Sequence, residues 1–363
     1  MAKSITRSSR RSFMRGASAT AAGALAAPAV LRRAWAAEPL KVSSYGGYFE
    51  DSLVEFVYPG FTEATGIEVE SVSQQGGMGW FTVLETSMDA GNPPVDVTMT
   101  GGQGPRRMGQ LFAPLDPADL PNLANIPEFL LHRKEDGAID AVPVLAWYTT
   151  FVTNSDMYPE APTSWADAWD PKFEGQLGWG GEAESSYLID IVAATFFGGR
   201  QIMETREGLL QCMEKAIELK NNVKLWYRDE GQFQAQLQSG ELNGGQYYHD
   251  VTQVMILDGF PMRSTFPKEG GVIDFGSWGL LTSSTNTDAA NQFINYTIDP
   301  SVQSTITRNM WTAPVVPRDL TDLTDEEFNL AASEIPPIVP FYDAYVKDGD
   351  WIAEKWQELL TGS

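Results

Sequence analysis

Three successive segments of the chain repeat the order strand, glycine-rich loop, helix. Strands are predicted at residues 40–44, 67–72 and 95–99, and helices at residues 48–65 and 78–90. Helices that alternate with strands in this way are typical of a parallel sheet that is covered by helices on both faces. We therefore predict an α/β chain with a doubly wound, mostly parallel sheet.

The loops after the predicted strands contain closely spaced glycines, including Gly46, Gly101 and Gly102. Ligands of doubly wound sheets bind beyond the carboxyl ends of the strands, where these loops lie. Glycine lets the backbone approach a ligand and leaves N–H groups free to face it. Tight turns also use glycine where no ligand binds. None of the loops matches a phosphate-binding loop or a dinucleotide fingerprint, so we predict a site for some other small molecule.

A long strand is predicted near mid-chain, at residues 142–153, which are rich in β-branched and aromatic side chains. Ser164 then follows as the N-cap of a short helix at residues 165–169, and Asp170-Pro171 ends that helix. A strand in this position can cross from one lobe to another, and residues 271–281 are predicted to be the return crossing.

Two crossings divide the chain into two discontinuous lobes. We predict that the first lobe comprises residues 37–145 and about 277–315, and the second residues 146–276 and about 316–363. The length of 363 residues fits two domains. One helix is predicted over residues 182–197, and a helical tail over residues 322–360 that is interrupted at Ile335-Pro336-Pro337.

The N-terminus has the pattern of an export signal. Residues 8–15 read SSRRSFMR, a weakly apolar stretch follows, and Ala34-Trp35-Ala36 provides a small-residue cleavage site. The paired Arg10 and Arg11 predict a twin-arginine signal that is removed after Ala36. A disordered basic tail is the alternative interpretation.

Charge and cysteine content exclude several classes of function. Residues 1–36 hold seven basic residues and no acid, so residues 37–363 keep 18 basic and 48 acidic residues, a net charge of −30. Such a surface repels nucleic acid and anionic lipid. The single cysteine, Cys212, allows neither an intrachain disulfide nor a thiolate zinc site. We expect no cofactor, no metal and a monomer.

Several segments resemble the spermidine/putrescine-binding family of periplasmic solute-binding proteins, which serve ABC importers. They are PTSWADAWDPKFEG (residues 162–175), TEATGIEVE (62–70), PVDVTM (94–99), GELNGG (240–245) and FPKEGG (266–271). The resemblance covers nearly all of the chain after the signal. It implies a two-lobed type II periplasmic-binding-protein fold, no catalytic activity, a small cationic ligand and an ABC permease partner in the inner membrane. With an export signal and no lipid anchor, it also implies the periplasm of a diderm bacterium.

An ammonium ligand needs carboxylates for charge and aromatic faces for cation–π contact. Suitable side chains lie at predicted strand ends, although each aromatic alone is as consistent with core packing. They are Tyr45, Glu182, Tyr247, Tyr248, Asp250, Asp274, Trp278 and Trp311. The resemblance implies ligand contacts at Tyr45, Tyr248, Trp311 and Glu182. It fails at Asp274 and Gly276, where the family has a Trp and an Asp, so we expect a remodelled pocket.

Three alternatives remain open from the sequence. An ω-amino acid would use the glycine loops for its carboxylate. A ferric ion would bind the adjacent phenolates of Tyr247 and Tyr248. The third alternative is an exported enzyme on the same fold. The two histidines, His132 and His249, have no thiol and no GxSxG serine motif in the sequence as a catalytic partner.

Overall fold

The structure is a computed structural model that describes residues 38–75 and 77–362. The predicted signal at residues 1–36 therefore lies outside the described residues. Nine strands form within the described part of the chain. They are β1 (Leu40–Tyr45), β2 (Val69–Gln74), β3 (Val97–Gly101), β4 (Val142–Asn154), β5 (Leu177–Gly180), β6 (Val223–Tyr227), β7 (Gly244–Tyr248), β8 (Met262–Thr265) and β9 (Val272–Leu280).

The strands are arranged in two halves that meet at the two predicted crossings. The order is β2-β1-β3-β9-β4-β7-β5-β6, with β8 paired to β4. β1 is parallel to β2 and β3 in the first half, and β5 is parallel to β6 and β7 in the second. β9 runs antiparallel to both β3 and β4, so β4 and β9 join the halves. The predicted doubly wound, mostly parallel arrangement with two crossing strands is confirmed; the residue boundaries of the lobes stay a prediction.

Helices alternate with the strands in both halves of the described chain. They are α1 (Tyr48–Phe56), α2 (Tyr58–Thr65), α3 (Met78–Asp89), α4 (Gly104–Met108), α5 (Ala183–Ser186), α6 (Leu188–Phe196), α7 (Arg206–Ile217), α8 (Glu230–Ser239), α9 (His249–Leu257), α10 (Thr287–Thr297), α11 (Pro300–Met310), α12 (Asp325–Asn329) and α13 (Tyr342–Thr361). The short helix predicted after Ser164 is a 3₁₀-helix, Trp165–Trp169, and Ser164 and Asp167 form a capping box at its start.

Two helix predictions were wrong in their continuity. The helix expected over residues 48–65 is two helices, α1 and α2, with Val57 between them. The helix expected over residues 182–197 is interrupted at Tyr187, which has a left-handed backbone with φ 51°. The tail is interrupted between α12 and α13, where a break was predicted, but the break spans residues 330–341 and is longer than the predicted three residues. The break at Tyr187 matters most, because it redirects a side chain into the site described next.

The crossing strands form the centre of the core. In β4, all residues are buried except the partly exposed Trp147. Phe151 of β4 stacks on Trp165 with ring planes 8° apart. A strand that is buried on both faces consists of a nearly continuous apolar run, as this one does. The carboxyl ends of the parallel strands are thereby held at fixed positions on either side of β4 and β9.

Candidate ligand-binding site

A cavity of about 280 Å³ opens at the carboxyl ends of the first-half strands. The ends of β1 and β2, the start of α3 and the glycine-rich segment after β3 line one wall. Tyr187, Asp274 and Tyr342 line the opposite wall. Tyr45, Gly101 and Gly102, three of the residues predicted from sequence, lie in the first wall, and Asp274 lies in the second.

The register of β9 explains why Asp274 occupies this position. Gly276 pairs with Gly101 at the carboxyl end of β3. Val272 pairs with Thr149, and Thr149 pairs with Tyr248 at the carboxyl end of β7. Asp274 is two residues from each of these pairings, about 7 Å along the strand. It therefore lies between the ligand-facing edges of the two halves.

Two tyrosine hydroxyls donate to the Asp274 carboxylate. Tyr187 Oη lies 2.8 Å from Oδ2, and Tyr342 Oη lies 2.9 Å from Oδ1. The N–H of Phe275 also donates to Oδ1 at 2.8 Å. Burial raises the pKa of Asp274, and these three hydrogen bonds oppose that shift. No cationic side chain is among the causes of this shift, and the carboxylate has no ion-pair partner among the described residues.

The tyrosines around Asp274 are held in their neutral form. Burial raises the pKa of Tyr45, Tyr187 and Tyr342 above the ordinary value of 10, and the nearby charge of Asp274 raises each further. Tyr248 is affected in the same way, by burial first, then by Glu230 and also by Asp274. Three neutral phenols, those of Tyr45, Tyr187 and Tyr342, thus lie around one acid in the cavity. Such a group offers hydroxyls and ring faces to a cation but no second charge.

A second buried acid, Asp190, holds the two tyrosine-bearing helices together. Asp190 of α6 is 3% exposed. Its Oδ1 accepts the N–H of Phe341 at 2.7 Å, and its Oδ2 accepts the hydroxyl of Tyr345 at 2.5 Å. Tyr187 precedes α6 and Tyr342 opens α13. Asp190 therefore fixes the two helix starts that deliver both hydroxyls to Asp274.

Two adjacent arginines of helix α4 make contacts with residues of the second half. Arg106 Nε lies 2.8 Å from Asp343 Oδ1, and its guanidinium lies 5.0 Å from the centroid of the Tyr342 ring. Arg107 donates to Glu184 Oε1 at 3.1 Å and to the carbonyl of Tyr345 at 3.3 Å. These contacts connect α4 to α5 and α13 across the cavity.

The first-half wall presents few free polar groups. Gln74 is bonded within the protein: its amide nitrogen donates to the carbonyl of Met99, and its oxygen accepts from Ser43 and Thr98. Trp80 donates its ring N–H to Thr98 Oγ1 at 2.9 Å, within the protein. Phe81 packs edge-on against Phe112. This wall supplies shape and apolar surface, and no charged side chain.

The remaining predicted site residues lie outside the cavity. Tyr248 donates to Glu230 Oε1 at 2.8 Å. Asp250 has a buried Oδ1 without a hydrogen-bond partner among the described residues, and burial raises its pKa to about 6. Glu182 is exposed and lies 3.9 Å from Arg228 Nε. Trp278 is fully buried and packs on Phe293. Gly46 packs closely on Ser73, so that a side chain at position 46 would collide with the Ser73 hydroxyl. Trp311 ends helix α11 as its C-cap, with a left-handed backbone.

Tyr247 and Tyr248 do not present an open pair of phenolates. Tyr247 is 2% exposed and packs edge-on against Phe233. His249 is buried and bonded to Ser264 and the carbonyl of Asn329. Within the described residues, no cluster of three or more His, Cys, Asp or Glu side chains is placed to hold a metal ion. Both phenolic hydroxyls of this pair are bonded within the protein, Tyr247 to the carbonyl of Glu230 and Tyr248 to its carboxylate.

Two residues of the site, Tyr187 and Tyr342, were missed by the sequence reasoning. Each was assigned to the interior of a helical stretch. A signal was present for Tyr187: Asp190 is the only charged residue in the apolar helix Leu188–Phe196. A buried acid requires hydrogen-bond partners, so Asp190 indicates that polar groups lie near the start of this helix.

Comparisons with known proteins agree with this architecture. Residues 60–318 match the family of bacterial extracellular solute-binding proteins. The spermidine/putrescine-binding periplasmic protein of Escherichia coli (strain K12) is 26% identical over 254 residues, which are 68% of this chain and 71% of the relative. A putative 2-aminoethylphosphonate-binding periplasmic protein of Salmonella typhi is 24% identical over 313 residues, 83% of this chain and 85% of the relative.

A solved ABC transporter substrate-binding protein from Bradyrhizobium japonicum USDA 110 shares the fold. Its TM-score is 0.72 at 19% identity, covering 88% of this chain and 99% of that chain. Within the described part of this chain, none of the helices has the length and hydropathy of a membrane span. The chain therefore belongs to the bacterial extracellular solute-binding proteins and has the two-lobed type II fold of ABC-transporter substrate-binding proteins.

Proposed function

We propose that this protein is the periplasmic substrate-binding component of an ABC importer, and that it captures a small cationic amine and delivers it to the membrane permease. The ammonium group lies against Asp274. The observation that carries this proposal is the Asp274 carboxylate, which lines the cavity, accepts two tyrosine hydroxyls and has no ion-pair partner among the described residues.

The energetics favour a cation at this position. An ammonium group forms charge-assisted hydrogen bonds to a carboxylate, which are about twice as strong as neutral ones. The faces of Tyr45 and Tyr187 add cation–π contacts of about 0.5–2 kcal/mol each. Removing the ammonium would return the carboxylate to its unbalanced state. The acid itself therefore favours the bound form. Closure of the two halves around the ligand is a hinge motion at β4 and β9.

A second candidate is an amine that also carries an anionic group, such as an ω-amino acid. Helix α3 starts at the cavity with Gly77 as N-cap, without a side-chain cap and without an acid in its first turn. Its free N–H groups would suit a carboxylate or phosphonate. A relative named for 2-aminoethylphosphonate supports this candidate.

A ligand screen tests the proposal. The purified protein is screened by thermal shift against alkylamines, polyamines, ω-amino acids, quaternary amines and Fe(III). An amine at about 100 times its Kd adds roughly 2.7 kcal/mol to the free energy of unfolding, which raises the melting temperature by several degrees. If only Fe(III) stabilises the protein, or no amine does, the assignment of an amine ligand fails.

Export is a separate part of the proposal. We infer that residues 1–36 are a twin-arginine signal and that the protein then functions in the periplasm as a monomer. Replacement of Arg10 and Arg11 by lysine should retain the precursor in the cytoplasm, which cell fractionation measures. Unchanged export of this variant would exclude the twin-arginine route without affecting the ligand assignment.

A further inference from the structure

We infer that the ligand carries a single ammonium group and that the site discriminates against diamines and longer polyamines. This inference rests on the proposed function, since it specifies which amines the Asp274 site accepts. It is drawn from the distribution of charge around the cavity. Asp274 is the only charged side chain among the described residues that line the cavity.

The wall opposite Asp274 has no acidic side chain to balance a second cation. It is formed by Trp80, Phe81 and Met99 together with the glycine-rich backbone after β3. The polar groups nearest to these side chains are already paired within the protein, at Gln74 and Thr98. An ammonium group buried there without a partner would lose its hydration and gain no compensating hydrogen bond or ion pair, so binding would be weakened. Apolar atoms of a ligand fit the same wall without that cost.

Two other acids of the second half are the rival partners for a second ammonium. Glu230 accepts the hydroxyl of Tyr248, and Asp250 holds its free Oδ1 inside the protein. Neither residue lines the cavity. A diamine would have to extend beyond the cavity to reach either of them. The structure thus places one acid at the site and leaves the others outside.

The test uses three ligands with the same four-carbon chain. Butylamine, 1,4-diaminobutane and 4-aminobutyrate share one ammonium end and differ at the other end, which is a methyl, an ammonium or a carboxylate. Isothermal titration at pH 7 gives the three dissociation constants. We expect 1,4-diaminobutane to bind at least tenfold more weakly than the better of the other two ligands.

The outcomes separate this inference from the proposed function. If 1,4-diaminobutane binds as tightly as the others or more tightly, the single-ammonium inference fails while the amine assignment stands. Loss of that binding in Asp250→Asn would then assign the second ammonium to Asp250. If none of these ligands binds and the broader amine screen is also negative, the proposed function fails and this inference falls with it.

A gain-of-function variant tests the location of the uncharged wall. Met78 opens α3, lines the cavity and is 47% exposed, so a polar side chain is tolerated there. Met78→Glu adds a carboxylate to this wall, in the first turn of a helix where an acid is favourable. The affinity for 1,4-diaminobutane relative to butylamine should rise about tenfold. Met78→Gln is the matched neutral control, and an unchanged ratio in Met78→Glu would overturn the placement of the ligand body against this wall.

Discussion

Two acids in the second half of the molecule have the same chemical partners and different surroundings. Asp274 and Asp190 each accept a tyrosine hydroxyl and a backbone N–H. Asp274 faces the cavity, whereas Asp190 is 3% exposed and sealed between α6 and α13. The difference teaches that tyrosine donors make a carboxylate tolerable in the interior but do not decide its role. Access decides it: Asp274 can meet a ligand cation, and Asp190 can only hold the helices that build the site.

The largest expected effect is on ligand affinity when Asp274 loses its charge. Removing one partner of a buried ion pair costs about 3–5 kcal/mol, so Asp274→Asn should weaken binding of the amine by at least about 100-fold. Asp190→Asn should weaken it by less than about tenfold. Calorimetric titration of both variants measures this contrast, with Asp288→Asn as an exposed charge-matched control. Equal losses of affinity in Asp274→Asn and Asp190→Asn would contradict the conclusion that Asp274 binds the ligand while Asp190 only positions the helices.

The next effect is the pH dependence of stability through Asp190. Burial raises its pKa to about 6, against an ordinary value of 3.8. A carboxyl whose pKa is raised by folding stabilises the fold fully below its unfolded pKa, and that contribution is lost as the pH rises through the folded pKa. The loss falls between pH values of about 4 and 6 and amounts to ~1–3 kcal/mol.

Urea unfolding of wild type and Asp190→Asn between pH 4 and 7 isolates this contribution. The free energy of unfolding of wild type minus that of the variant should fall over this range. The pKa values of Tyr345 and of Cys212 are raised by burial and by Asp190, so both stay neutral in this window. Asp250 and Asp274, whose pKa values are also raised, titrate in both proteins and cancel in the difference. A difference that is flat with pH would contradict the role of Asp190.

The smallest effects come from the tyrosine donors. A hydrogen bond to a charged group contributes about 1.5–3 kcal/mol at most. Tyr342→Phe should weaken ligand binding about fivefold with little change in stability, since Tyr187 and Phe275 still donate to Asp274. Tyr345→Phe should lower the free energy of unfolding by ~1 kcal/mol and leave affinity within about twofold. Calorimetric titration and urea unfolding measure both variants. A larger loss of affinity in Tyr345→Phe than in Tyr342→Phe would contradict the assignment of the ligand to Asp274.

The sequence predicts the parallel strands, the crossings and Asp274 because these depend on local patterns. Alternation along β9 places Asp274, Gly276 and Trp278 on one face. It does not say how far along the strand the cavity extends, and Trp278 lies four residues deeper, in the core. Tyr187 and Tyr342 are 155 positions apart, and only tertiary packing through Asp190 brings them together. Their helix breaks are set by that packing and not by propensity.

At Gly102, a single added methyl group would collide with the ring of Tyr342. A Cβ added there would lie 2.6 Å from the Tyr342 ring, where contact between real atoms is not possible without movement. Because glycine has no Cβ, the Tyr342 ring packs directly on the backbone after β3, and any larger residue at position 102 would displace the ring whose hydroxyl reaches Asp274.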